Sequence, residues 1–119
     1  MKINVRQQLI DYRGKPITEG ENTTFRDFLT IALSNVATGE TLTGEQKATA
    51  HHIEKKLYGS NTVHFTDSEK TYAKERSWKI LPIVHAGRIV DILDDVEPSP
   101  ILTDEEMSAD DKDTTNVKG

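Results

Sequence analysis

The chain has 119 residues, with 15 basic and 20 acidic side chains, 34% hydrophobic residues and no cysteine. This length allows one small domain. The lack of cysteine excludes disulfides and thiolate metal sites, and no apolar run approaches the roughly 18 to 20 residues that span a bilayer. The N-terminal sequence lacks the apolar stretch of a signal peptide, so we expect a cytoplasmic protein with no membrane contact.

A small β-hairpin is predicted at the N terminus. Ile3 and Val5 alternate with polar residues, and Arg13-Gly14 offers a turn before a return segment that contains Pro16 and Ile17. Proline lacks a backbone donor, which confines the return segment to an edge. Because two strands alone are marginally stable, we expect the hairpin to pack against helices.

The first predicted helix follows Thr24, a residue suited to the N-cap, with Asp27 placed favourably in the first turn. Gly39 can supply a left-handed stop. Apolar residues recur at helical spacing and predict one buried face. That face consists of Phe25, Phe28, Leu29, Ala32, Leu33 and Val36.

Two further capping patterns mark the starts of a second and a third helix. Thr43 is followed three residues later by Gln46, and Thr66 by Glu69, the spacing of a capping box. Phe65 precedes the second of these boxes at the position of a hydrophobic staple. Both helices have thin apolar stripes and many charged residues.

Pro82 is predicted to end the third helix and begin a fourth, since proline suits the first turn of a helix. Gly87 costs about 1 kcal/mol in a helix interior and suggests a close helix crossing. The inward stripe of this helix is predicted as Ile83, Ala86, Val90 and Leu93, with Ile89 beside it. The expected fold is therefore mainly α, with about four short helices packed with the N-terminal hairpin.

The charge is distributed unevenly along the chain. Residues 91–119 contain ten acids and two bases, a net charge of −8, whereas residues 1–90 carry +3. We expect a domain over residues 1–95 and a disordered acidic tail over 96–119, because the tail has too little apolar sequence to offset its ordering entropy. The tail could be solubilising, partner-binding or autoinhibitory, and the pattern Thr103–Glu106 fits a capping box.

No motif for catalysis, a cofactor or a metal is found. The sequence lacks a nucleophile elbow, a P-loop and a dinucleotide-binding fingerprint. Its four histidines (His51, His52, His64 and His85) include no pair at helical i, i+4 spacing. We therefore expect a protein that is not an enzyme and binds neither a cofactor nor a metal.

A DNA-binding function is an alternative that the sequence leaves open. The short turn Gly39–Leu42 is compatible with a helix-turn-helix, in which the helix Thr43–Tyr58 would read DNA. Its polar face offers groups for phosphates and base edges. These candidates are Gln46, Lys47, His52, Lys55 and Lys56.

The third helix carries the candidate surface for a protein partner. Trp78 lies off the apolar stripe of this helix and is predicted to be a partly exposed anchor. Tyr72, Lys74 and Arg76 are candidates for the same contact.

The order of these motifs resembles that of small helical proteins encoded by tailed bacteriophages. The segments that carry the resemblance are Asp11–Ile17, Thr24–Leu29, Leu42–Lys47, Phe65–Glu69 and Ile89–Leu93. The resemblance implies a phage origin and a setting in the host bacterial cytoplasm or on a virion, and it supplies no catalytic residues. We expect a non-enzymatic protein–protein interaction module, regulatory or accessory to assembly. The alternatives are a DNA-binding regulator and a minor virion or tail-assembly component, with self-association left open.

Overall fold

The computed structural model describes residues 2–96, and within this range the chain forms four α-helices and two short strands. The prediction of a mainly helical fold is confirmed. The elements in chain order are β1 (Ile3–Asn4), α1 (Phe25–Ser34), α2 (Gly44–Gly59), β2 (Thr62–Val63), α3 (Asp67–Ile80) and α4 (Ile83–Leu93). Helix α3 packs against the other three helices.

The three predicted capping boxes are confirmed. The hydroxyls of Thr24, Thr43 and Thr66 each accept a hydrogen bond from the backbone N–H three residues later, at 3.1–3.2 Å. The side chain at that later position bonds back to the backbone N–H of the threonine. Each cap stabilises its helix by about 1 kcal/mol, which explains why three helices begin where the sequence predicts.

Helix α1 ends earlier than predicted, at Ser34 rather than near Gly39. Asn35 is already extended, and its side-chain amide donates to the carbonyl of Ile31 at 2.7 Å. Val36 is consequently 53% exposed, so its prediction as part of the buried face is wrong. The connection to α2 spans residues 35–43.

The inward face of α4 is rotated from the predicted one. Ile83 is 78% exposed, whereas Ile89 is fully buried between Ala86 and Leu93. Ile83 occupies the first turn, beyond the edge of the core, and Val90 is half-buried. The spacing of Ala86, Ile89 and Leu93 is the i, i+3, i+7 pattern of a single face.

The strand at the N terminus pairs with a distant segment. Strand β1 runs antiparallel to β2, with Ile3 opposite Val63 and Asn4 opposite Thr62. The pairing closes the loop between α2 and α3 against the N terminus and brings Ile3 and Val63 into the core.

The turn predicted at Arg13-Gly14 is also present. Gly14 has a positive φ of 78°, and its N–H donates to the carbonyl of Asp11 at 3.1 Å. Ile10 and Pro16 form an isolated antiparallel bridge on either side of the turn. Residues 8–17 therefore return on themselves as predicted, while the regular strand pairs elsewhere.

One hydrophobic core joins the N-terminal segment to all four helices. Val5 and Leu9 are buried together with residues of each helix, including Phe25, Ile53 and Ala73. Residues 97–119, which hold nearly all of the predicted tail, lie outside the described residues. Among residues 2–96, no helix has the length and hydrophobicity needed to cross a membrane.

Gly87 does not lie at a close helix crossing. The nearest atom to the position of an added Cβ is Cη2 of Trp78, at 3.9 Å, which is an ordinary van der Waals contact. No backbone from another element approaches this position within 4 Å. The expectation that packing requires glycine here is therefore wrong.

We predict that Gly87→Ala raises the free energy of unfolding by about 0.5–1 kcal/mol, because alanine restricts the unfolded chain and favours the helix. Gly39→Ala is the matched control, since Gly39 also has open space around it but holds a φ of +80°. That substitution should lower stability by about 1 kcal/mol. Urea unfolding measures the stability of both variants. A loss of stability in Gly87→Ala would show that packing at this position does require glycine.

Candidate partner-binding face

Arg76 lies in the interior, in contrast to its prediction as a surface contact. Its side chain is 3% exposed, Nη1 donates to Oε2 of Glu40 at 2.5 Å, and Nη2 donates to the carbonyl of Asn35 at 2.6 Å. The exposed Lys79 donates to the same Glu40 oxygen at 3.0 Å. Arg76 therefore ties α3 to the connection between α1 and α2 and is not available to a partner.

Glu40 is strongly stabilised as a carboxylate. The hydrogen bond from Arg76, the backbone N–H of Ala37 and the ammonium of Lys79 together lower the pKa of Glu40 from 4.5 to about 2. Glu40 is thus charged at neutral pH and compensates the charge of the buried guanidinium.

The remaining predicted contacts on α3 divide between inside and outside. Tyr72 is half-buried, its hydroxyl has no partner within residues 2–96, and burial raises its pKa. Lys74 lies outside and its Nζ is 2.7 Å from Oδ1 of Asp94, a contact that joins α3 to α4. Trp78 is 54% exposed, which confirms the predicted exposure but does not test a role in binding.

The outward position of Trp78 follows from the inward position of Arg76. Successive residues on an α-helix are rotated by about 100°, so Trp78 points roughly 200° away from Arg76. Ala73 and Ser77, which are fully buried, lie on the inner side with Arg76.

Trp78 adjoins an exposed part of α4. Cη2 of its ring lies 3.9 Å from the position that a Cβ on Gly87 would take, and Ile83 lies one turn earlier on the same side of that helix. Trp78, Ile83 and Gly87 together form what we call the Trp78 face. Its two large apolar side chains are 54% and 78% exposed, and nothing in the described part of the chain covers them.

The predicted DNA-reading residues of α2 are partly engaged in holding the fold together. Lys56 and His52 both contact Glu69 of α3, at 2.7 and 3.3 Å, and the side-chain oxygen of Gln46 accepts the backbone N–H of Thr43 at 2.8 Å. Burial raises the pKa of Glu69, but the Lys56 and Thr66 hydrogen bonds outweigh it and the net pKa is lowered. The other two candidates, Lys47 and Lys55, are exposed.

The connection between α1 and α2 differs from the one that a helix-turn-helix would need. It spans residues 35–43 rather than the 3–4 residues typical of that motif, because α1 ends at Ser34. Residues 2–96 also contain equal numbers of acidic and basic side chains, thirteen of each. A neutral body offers little of the counterion release that drives DNA binding.

Within residues 2–96, no three histidine, aspartate or glutamate side chains are grouped so that they could hold a metal ion together. Of the Trp78 face, Ile83 was predicted to face inward, and Gly87 to lie at a close helix crossing. A signal for Ile83 was its place directly after Pro82, at the entry to the helix, where the first turn often projects beyond the core.

Comparisons with known proteins identify no relative from which a function could be inferred. The chain matches no protein-family model, no curated protein and no solved structure. The Trp78 face and the contacts that hold it in place are therefore the features that bear on function.

We predict that Glu40→Gln destabilises the protein at neutral pH and that this loss shrinks in acid. The folded pKa of Glu40 is about 2, below its ordinary 4.5, so its contribution is complete above about pH 4.5 and is lost as the pH falls through about 2. Urea unfolding of both proteins across this range measures the difference.

Glu75→Gln is the control for this prediction, because Glu75 is an exposed acid of α3, the helix that carries Arg76. It should change stability little at any pH. A difference between wild type and Glu40→Gln that stayed constant from neutral pH to about pH 2 would show that the ionised carboxylate contributes nothing.

Proposed function

We propose that this chain is a non-enzymatic protein–protein interaction module that binds its partner through the Trp78 face. The observation that supports the proposal is the exposure of a tryptophan and an isoleucine on adjoining turns of α3 and α4. A soluble chain loses solubility by exposing such side chains together, and a binding role accounts for them. Tryptophan is also among the residues that contribute most to protein interfaces.

The support beneath Trp78 suits a binding anchor. Arg76 and Glu40 hold the inner side of α3, and the Lys74–Asp94 pair fixes α3 to α4 next to the face. A side chain presented from a fixed helix loses little conformational entropy when it binds. The partner would supply an apolar pocket for the indole, framed by polar groups that meet Lys74 and Asp94.

The setting of this interaction is proposed from the resemblance to phage proteins. The partner would be a host or phage protein, met in the host bacterial cytoplasm or on a virion, and the module would regulate its partner or assist assembly. Self-association through the same face is an alternative, and light scattering of the purified chain at increasing concentration would detect it.

We predict that Trp78→Ala and Ile83→Asp each weaken partner binding, with Trp78→Ala lowering affinity about 30-fold, the effect of losing roughly 2 kcal/mol at an interface anchor. The full chain would be used for affinity capture from phage-infected and uninfected bacterial cells, and the captured proteins identified. Tyr58→Ala and Val36→Asp are matched controls, since Tyr58 is 59% and Val36 53% exposed away from the face.

The proposal requires that the control variants retain a captured protein which the Trp78 and Ile83 variants lose. Equal capture by the wild type and all four variants would contradict a role of the Trp78 face in binding. Duplex DNA binding that weakens with salt and is lost in Lys47→Glu with Lys55→Glu would instead favour the DNA-binding alternative.

A further inference from the structure

A second surface, separate from the Trp78 face, is a groove between the N-terminal segment and the end of α4. It has a volume of about 250 Å³. Leu9, Ile10, Ile92 and Val96 supply apolar lining. The rest of the wall is largely polar and includes the charged residues Lys2, Arg88, Asp91 and Asp95. The volume is below the roughly 300–1,000 Å³ typical of small-molecule pockets, and it suits a few aliphatic side chains better than a drug-sized ligand.

The end of α4 turns the chain into this groove. Asp95 adopts a positive φ of 56°, its N–H donates to the carbonyl of Ile92 at 3.2 Å, and the N–H of Val96 donates to the carbonyl of Asp91 at 2.8 Å. These bonds form a Schellman motif, which reverses the chain at a helix C terminus. Val96, the last described residue, is itself part of the groove lining, so the chain leaves the described structure from within the groove.

The sequence that follows has chemistry suited to this groove. It reads Glu97-Pro98-Ser99-Pro100-Ile101-Leu102, with two adjacent aliphatic residues after two prolines. An extended chain advances about 3.3 Å per residue, so Ile101 can reach about 16 Å from Val96. That distance equals the whole length of α4, about 16 Å for its eleven residues, and the groove lies within it.

We propose that the groove is the docking site of this chain's own Ile101 and Leu102. A segment tethered by so few residues has an effective concentration in the millimolar range, so even a weak apolar contact is populated within one molecule.

A spin label tests this proposal in the full chain. The absence of cysteine means that Thr103→Cys places a nitroxide at one site only. We expect the label to broaden the backbone amide signals of Gln7 and Gln8 and to spare those of Glu45 and Thr49 at the start of α2. Adding Ile101→Asp with Leu102→Asp should remove most of that broadening, while Met107→Asp should leave it unchanged.

Two results would overturn the proposal. Equal broadening with and without the two aspartates would show that the segment passes the groove without docking. Broadening of an unlabelled, isotope-enriched chain by a labelled chain that lacks the isotope would assign the contact to a second copy. Unchanged amide positions in α1 verify that the variants keep the fold, and the test is independent of whether the Trp78 face binds a partner.

Discussion

The buried ion pair between Arg76 and Glu40 is the interaction on which the arrangement of α3 depends. A guanidinium that is 3% exposed must be matched by hydrogen bonds and by a negative charge, and Glu40 and the carbonyl of Asn35 supply them. Both partners belong to the segment between α1 and α2. The pair therefore sets the end of α1, the course of residues 35–43 and the rotation of α3 at once.

The position of Trp78 is a consequence of that rotation. With Arg76 directed inward, the helical period leaves the indole on the opposite side, against the surface of α4 at Gly87. Burial of the charged Arg76 thus leaves the apolar Trp78 exposed. A buried arginine and an exposed tryptophan on one helix do not favour stability. A role in binding accounts for the exposed tryptophan, which makes the Trp78 face a candidate for a partner.

Helix α4 uses polar side chains in the same way to hold the N-terminal segment. Arg88 donates to the carbonyls of Ile10 and Asp11 at 2.9 and 3.2 Å, and His85 Nε2 lies 3.0 Å from a carboxylate oxygen of Glu19. Arg88 and Ile10 also line the groove that adjoins Val96, so their contact forms part of its wall. The two candidate surfaces therefore both depend on buried or half-buried polar anchors.

Local features of the sequence predicted most of the helical framework. The capping boxes at Thr24, Thr43 and Thr66 act over three residues, so the pattern contains all that is needed to place a helix start. The ion pair of Arg76 joins residues 36 positions apart, and β1 pairs with β2 across about 60. The sequence around these residues contains no local pattern that indicates such distant contacts. For this reason Arg76 resembled an ordinary surface arginine.

Exposure at the surface could be predicted only where it followed from the helical period. The apolar stripe of α3 indicated that Trp78 lies outside it, and the structure agrees. Ile83 fits the hydrophobic period of α4 but lies in its first turn, beyond the edge of the core, and so the pattern predicted it wrongly as buried. The sequence therefore predicted the part of the Trp78 face on α3, but not the part on α4.

A double-mutant cycle on Glu40 and Arg76 measures how strongly these two side chains are coupled. Glu40→Gln, Arg76→Met and the double variant would be compared with wild type by urea unfolding at neutral pH, since such a cycle isolates the coupling of two side chains. We expect the double variant to lose clearly less stability than the sum of the two single losses, because each single change leaves a charged partner uncompensated. Losses that simply add would contradict it, and would mean that this pair does not hold α3 in place.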